Sequence, residues 1–281
     1  MPASHLPTKW RAGAACLLAG GLFLAGCNPD HADEAPPVNN AAEAPDQSAL
    51  NLARAIPLPE SDLDREDLLL AALRAASAHA AGKDDRKAQS GLAGRQFSFR
   101  IRFGCRGPAA EAEGEESAPS LSWSYEAEEE RLKLRAAPDI DSEQPLVQAV
   151  AGEGFEAIQG FWIRRPWLLE NACPARPLAQ DASQPTLGIA HFFSEAGSRG
   201  RPRSREAYES VQRLAASALP GPAGFDLVLN GRLTALPDGR VIRCAAVETS
   251  ARPVCLISAE FNRVSIENGA TGVQLAEWGR G

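Results

Sequence analysis

Histidine is scarce in this chain of 281 residues: there are four in all, and only His31, His79 and His191 lie beyond residue 27. With His31 in a linker-like segment and His79 on an expected helix, one imidazole, His191, remains for a triad or a metal. No G-x-S-x-G elbow, S-x-x-K, Walker loop or H-E-x-x-H occurs, which removes the hydrolase, nucleotide and zinc-protease classes that those motifs mark. No two cysteines stand as C-x-x-C, the spacing that a thiolate zinc site uses. Asp139 and Asp141 invite a calcium reading, but the loop glycine and terminal glutamate of an EF-hand are missing. Neither a metal nor a cofactor is expected. Positive charge is also short, with a net charge of -7, and this excludes a general nucleic-acid binder, because phosphate contact rests on lysine and arginine.

What is present begins at the amino end. Lys9 and Arg11 precede an apolar run over 12–24, and no acidic residue occurs before Asp30. Charge followed by a run of that length is the layout of an export signal, and the run is too short and glycine-rich to span a bilayer. An ordinary secretory signal, with Cys27 an incidental thiol, is one reading. The order Leu24, Ala25, Gly26, Cys27 resembles the lipobox of bacterial lipoprotein precursors. That resemblance implies removal of residues 1–26, a diacylglycerol and a third acyl chain on Cys27, and handling by the lipoprotein processing and sorting machinery. Three chains hold firmly, since two lipid signals already give stable attachment. Asn28 stands where such lipoproteins carry an inner-membrane retention aspartate, which implies the outer membrane of a Gram-negative bacterium, facing the periplasm. Asp30, two residues further on, pulls slightly against that sorting. Loss of Lys9 and Arg11 would leave an even more acidic protein, attracted little to an anionic membrane beyond its anchor.

With Cys16 in the signal and Cys27 acylated, Cys105, Cys173, Cys244 and Cys255 remain. An even number in an exported chain reads as two disulfides, with three possible connectivities. Cys244 and Cys255 flank a segment of turn composition, so a bridge across a hairpin is expected there, and Cys105 then pairs with Cys173. Chain entropy puts their contributions at about 3 and about 4 kcal/mol.

Residues 27–59 are proline, alanine, asparagine and acids with few large apolar side chains, the composition of a flexible linker. Ser61 with Asp64 predicts a capped helix over 60–82 carrying Leu63, Leu69, Leu70, Leu73, Ala76 and Ala80, with Gly82 as the stop. This helix packs on the domain or meets a partner. Charged residues 83–91 read as a loop. From Gln96 the period changes to two: Phe97, Phe99, Ile101 and Phe103 form one strand, and Leu121, Trp123 and Tyr125 pair with Leu132, Leu134 and Ala136 in a hairpin. A short helix comes next over 144–151, and 107–120 reads as a mobile acidic loop. Further on, Phe225 to Leu233, Ile242 to Ala246, a long segment from Cys255, and a last strand through Val273 and Leu275 read as a four-stranded antiparallel meander. A bulge near Asn262 and Arg263 is expected in it, since the inward phase slips from Phe261 to Val264. The whole is an α+β domain over 91–281 with antiparallel sheets, about three helices and disulfide staples. Two lobes dividing near residue 180 are the alternative arrangement.

Two basic features stand out. Trp162, Arg164, Arg165 and Trp167 combine rings with guanidinium groups, which suit a sugar face or an anion; the plainer reading packs the tryptophans in the core and lets the arginines reach outward. Arg199, Arg201, Arg203 and Arg205 lie just before a helix expected from Ser204 through Ala207, Val211 and Leu214, where an anion could sit, or they form a solvated loop. His191, in the apolar run Ile189 to Phe193, is the one weak catalytic candidate and reads more simply as a core residue. Two functions are compatible with these features. One is a lipid-anchored envelope protein whose non-enzymatic domain binds an envelope protein or polysaccharide. The other is a periplasmic hydrolase of cell-wall or carbohydrate material, working with carboxylates or with a serine and His191.

Overall fold

Leu63 is where the chain first commits to structure. In the computed structural model, which describes residues 61–109, 119–152, 154–175, 185–193, 207–246, 248 and 250–279, Leu63 is buried and bridges Phe97 in parallel. Its N–H donates to Gln96 O at 2.9 Å, and its carbonyl accepts from Ser98 N–H at 2.9 Å. An extended Leu63 forbids a helix opening at Ser61, so α1 is Arg65–Ala80 and Asp64 is its cap. The box is reciprocal: Asp67 N–H donates to Asp64 Oδ1 at 3.0 Å, and Asp64 N–H donates to Asp67 Oδ2 at 3.2 Å. The shifted start also rotates the buried face, to Leu68, Leu69, Ala72 and Ala75, and leaves Leu73 66% exposed. Gly82, at φ +63, ends the turn as expected.

The expected loop over 83–91 contains a short helix, α2 (Arg86–Gln89). Its purpose is visible in Gln89, which is 4% exposed. The Gln89 Oε1 accepts from the N–H groups of Val241 and Ile242 at 3.0 and 2.7 Å, and its Nε2 donates to Ile242 O at 3.0 Å. One side chain thus plays the part of a neighbouring strand.

The strands are β1 (Gln96–Phe103), β2 (Leu121–Glu126), β3 (Arg131–Ala136), β4 (Ile140–Asp141), β5 (Ala157–Trp162), β6 (Leu187–Phe193), β7 (Tyr208–Arg213), β8 (Phe225–Leu233), β9 (Ile242–Ala245), β10 (Val254–Asn268) and β11 (Gln274–Gly279), with α3 (Pro145–Ala151) between β4 and β5. Eight strands form one mixed sheet in the order β1-β8-β10-β6-β5-β4, with β9 and β11 also paired to β10; β2, β3 and β7 form a second, antiparallel sheet. The α+β class and the four carboxy-terminal strands hold, but those four do not run as an antiparallel meander: β8, β9 and β11 all pair with β10, and the parallel β6 makes the sheet mixed. Leu233 pairs with Ala259 and Ile242 with Ile257, while Ser258 bonds both Thr234 and Val241. Strands β8 and β9 therefore lie end to end along one side of β10, and β11 and the parallel β6 share the other. Strands from both sides of residue 180 meet in this sheet, and residues Pro59–Gly281 make one compact unit.

The expected bulge is present: Phe261 pairs with Gly231 and Arg263 with Asn230, so Asn262 is the extra residue. It restores the inward phase, taking Ile257 and Ala259 over to Val264 and Ile266, all buried. The helix expected after Ser204 is instead strand β7 over Tyr208–Arg213, paired with β3 from Ala136 to Arg131. Ala207, Val211 and Leu214 have helical spacing, but β3 offers an unpaired edge, and Tyr208 packs edge-on against Trp278.

Side chains of the main sheet alternate between two cores. Phe99, Phe161, Ile189, Ile257 and Leu229 join α1 and the second sheet, while Ile158, Trp162, Ala190 and Leu256 join α3 through Val147 and Val150. Both expected disulfides are formed. Cys244–Cys255 links directly opposed residues of β9 and β10, and Cys105–Cys173 ties the end of β1 to the segment after β5.

Gln89→Ala would leave two buried strand N–H groups without an acceptor, at about 1–3 kcal/mol each. The expected outcome is a loss of about 2–6 kcal/mol in urea unfolding with the slope m unchanged.

Candidate functional site

After Trp162 and Ile163 the chain leaves β5 and turns outward, and it is fixed there from below. Arg65, in the first turn of α1, sends its guanidinium under the segment: Nε donates to Leu168 O at 3.2 Å, one terminal nitrogen to Arg165 O at 3.2 Å and the other to Arg100 O at 2.9 Å. The same cation lies 5.2 Å from the Phe99 ring centroid. Burial, and then the charge of Arg165, pull its pKa down to about 10, while Asp226 opposes them. Further along, Asn171 Nδ2 donates to Asp226 Oδ1 at 2.7 Å, and the Cys105–Cys173 disulfide closes the segment.

Held this way, the segment presents Trp167 at 54% and Leu169 at 37% exposure, with Arg164 exposed and Arg165 half-buried beside them. Burial and the neighbouring charges of Arg106 and Arg164 lower the Arg165 pKa, which marks three guanidinium groups close together. Among the described residues neither Arg106 nor Arg165 has an ion pair, whereas the arginines of β1 are fully engaged: Arg102 with Asp226 at 2.6 Å and Arg100 with Glu267 at 2.5 Å. Arg164 is positioned by a polar relay. It donates to Ser120 Oγ at 3.2 Å, Ser120 bonds Asp139, and Asp139 Oδ1 accepts from Trp162 N–H at 2.8 Å. Burial raises the Asp139 pKa despite the Trp162 amide, Ser120 and Arg164, which act the other way.

Of the tryptophan and arginine set, Arg164, Arg165 and Trp167 come together at the surface and Trp162 does not. Trp162 is 8% exposed and belongs to the smaller core, because strand alternation turns it away from the outgoing segment. Gly188 makes room for it, since a Cβ there would lie 3.1 Å from the ring. The depression beside Arg164 and Arg165, lined also by Glu170 and Asn171, holds about 20 Å³, room for a water and not for a sugar ring. His191 is not part of it. It lies half-buried on β6, stacked on Phe193 at 4.0 Å. Cys27 and the arginines 199, 201, 203 and 205 lie outside the described residues.

Sequence reasoning missed a second polar concentration. A cleft of about 270 Å³ is lined by His79, Lys83, Asp85, Asp238, Arg240, Arg243 and Cys244. Arg240 meets Asp84, Asp85 and Asp238 at 3.1, 3.0 and 2.9 Å, and Arg243 meets Asp238 at 3.1 Å. This web clasps the turn before β9 to the start of α2. The one available signal was the coincidence of acidic 84–85 with the Asp238 turn, which becomes meaningful only once both are known to be adjacent. Among the described residues no group of three or more His, Cys, Asp or Glu could hold a metal, and no helix is long and apolar enough to cross a membrane.

The chain matches no protein-family model, and neither the curated proteins nor the solved structures include one that matches it.

Two outcomes test this geometry. Arg65→Lys replaces a fork that reaches three carbonyls with a single ammonium, so stability should fall by about 1–3 kcal/mol and amide exchange over 164–169 should quicken. Asp139 binds its proton more tightly folded than unfolded, so its contribution is complete below about pH 3.9 and is lost as pH rises through the higher folded value. Asp139→Asn should therefore gain on the parent over that same pH window in urea unfolding, and a loss there would show that the Arg164 attraction outweighs burial.

Proposed function

We propose that this is a lipid-anchored cell-envelope protein whose periplasm-facing domain is a non-enzymatic binding module, and that the 164–169 surface is its binding face. The lipobox-like Leu24 to Cys27 supports the anchor, Asn28 favours the outer membrane, and two formed disulfides suit an oxidising compartment. One observation carries the binding reading: Trp167 and Leu169 stand exposed beside Arg164 and Arg165 on a segment whose backbone Arg65 holds. Exposed apolar side chains on a fixed backbone lose little freedom when covered, which favours association.

A hydrolase would need a cleft enclosing most of its ligand, and the depression here holds about 20 Å³. The larger cleft has its Asp85 and Asp238 carboxylates engaged by Arg240. Binding is the better supported reading.

The test is the intact mass of the membrane-extracted protein with and without reduction and alkylation. Cleavage before Cys27, three acyl chains and two disulfides are expected, and Cys27→Ser should leave a chain that a high-salt wash removes from the membrane fraction. A mature chain without acyl groups would overturn the anchor.

A further inference from the structure

We propose that the 164–169 face docks on an anionic lipid surface, with Trp167 and Leu169 entering the interface and Arg106, Arg164 and Arg165 meeting phosphate-bearing headgroups. This rests on the reading of that face as the binding face, but not on acylation of Cys27.

The side chains favour a bilayer over a glycan or an acidic protein. Trp167 and Leu169 are both exposed on this short segment, and a hydrocarbon boundary rewards two apolar side chains where a hydroxylated sugar does not. Indole is at home at the headgroup level, where one edge is apolar and the other wet. Arg164 and Arg165 line one shallow depression with Glu170 as the single carboxylate there, which leaves a positive excess for charge complementarity, and Arg106 is near enough that it, with Arg164, lowers the Arg165 pKa. The surface is shallow, as a lipid plane requires.

Net charge does not oppose this. The chain is acidic as a whole, but its other arginines on β1, β3 and the β9 turn are matched by carboxylates, so a local positive face remains and an anionic plane would turn the acidic body outward.

The experiment uses the mature chain with Cys27→Ser, which cannot be acylated, in flotation with vesicles of phosphatidylcholine alone or of phosphatidylcholine with phosphatidylglycerol. Binding to the anionic vesicles alone is expected, weakening with salt. Replacing Arg106, Arg164 and Arg165 together by Gln should lower partitioning by roughly a hundredfold, at about 1 kcal/mol per arginine. Trp167→Ala should lower it about tenfold, and the exposed control Val273→Ala should leave it unchanged. Of these positions only Arg165 is half-buried, and circular dichroism checks that each variant folds. Absence of binding, or binding indifferent to these substitutions, overturns the lipid proposal. If Trp167 and the arginines instead govern retention of an acidic polysaccharide or an envelope protein in pull-down, the lipid proposal fails and the binding face stands. If they govern neither, both fail.

Discussion

Strand β10 is the constraint on which the rest of this protein depends. Its fifteen residues are paired along both edges, by β8 and β9 on one side and by β6 and β11 on the other. The extra residue at Asn262 shifts its inward set from Ile257 and Ala259 to Val264 and Ile266. Both cores are built on this strand: Cys255 and Ile257 face one, and Val254 and Leu256 face the other. The Cys244–Cys255 bridge fastens its least extensively paired neighbour, β9, which has four residues. Through β8 the order passes to β1, and through β1 to Leu63 and α1.

From that scaffold the candidate binding face arises in two steps. Strand β5 is delivered beside β6 and ends at Trp162, whose burial fixes where the chain leaves the sheet. Arg65 then sets the height of the outgoing 164–169 segment, because its three donors bind backbone carbonyls and so ignore which side chains sit above them. Exposed Trp167 and Leu169 are thus consequences of a rigid support, in contrast to the charged side chains of β1, β8 and β10, which neutralise one another in a network around Asp226.

Where one face of an element was to be buried, the sequence could be read. The alternation of Phe97, Phe99, Ile101 and Phe103, the hairpin around residue 128, and the slip between Phe261 and Val264 all repeat a two-residue period against a single core, and each element lies where that period puts it. The pairing of the four cysteines was legible because Cys244 and Cys255 are local. Where a segment's partner was distant, reading failed. Asp64, and not Ser61, caps α1 because Leu63 is taken by Phe97, more than thirty residues away. β7 is a strand because β3 had an edge to fill, and Gln89 is buried because Val241 and Ile242 needed an acceptor. Of the aromatic and basic set at 162–167, period two could have separated Trp162 from Trp167, but only if the end of β5 were known.

By itself the sequence determined the address-like amino end as an expectation, the α+β class, the local strands and the disulfide pairs, since each depends on residues near one another or on chemistry that needs no partner. The tertiary structure alone decided which charges are cancelled and which are not. Arg102 and Arg165 are alike in the sequence, yet one is clamped to Asp226 at 2.6 Å and the other stands among like charges. Electrostatic pairing acts through space over a few ångströms, and only the folded chain sets those distances.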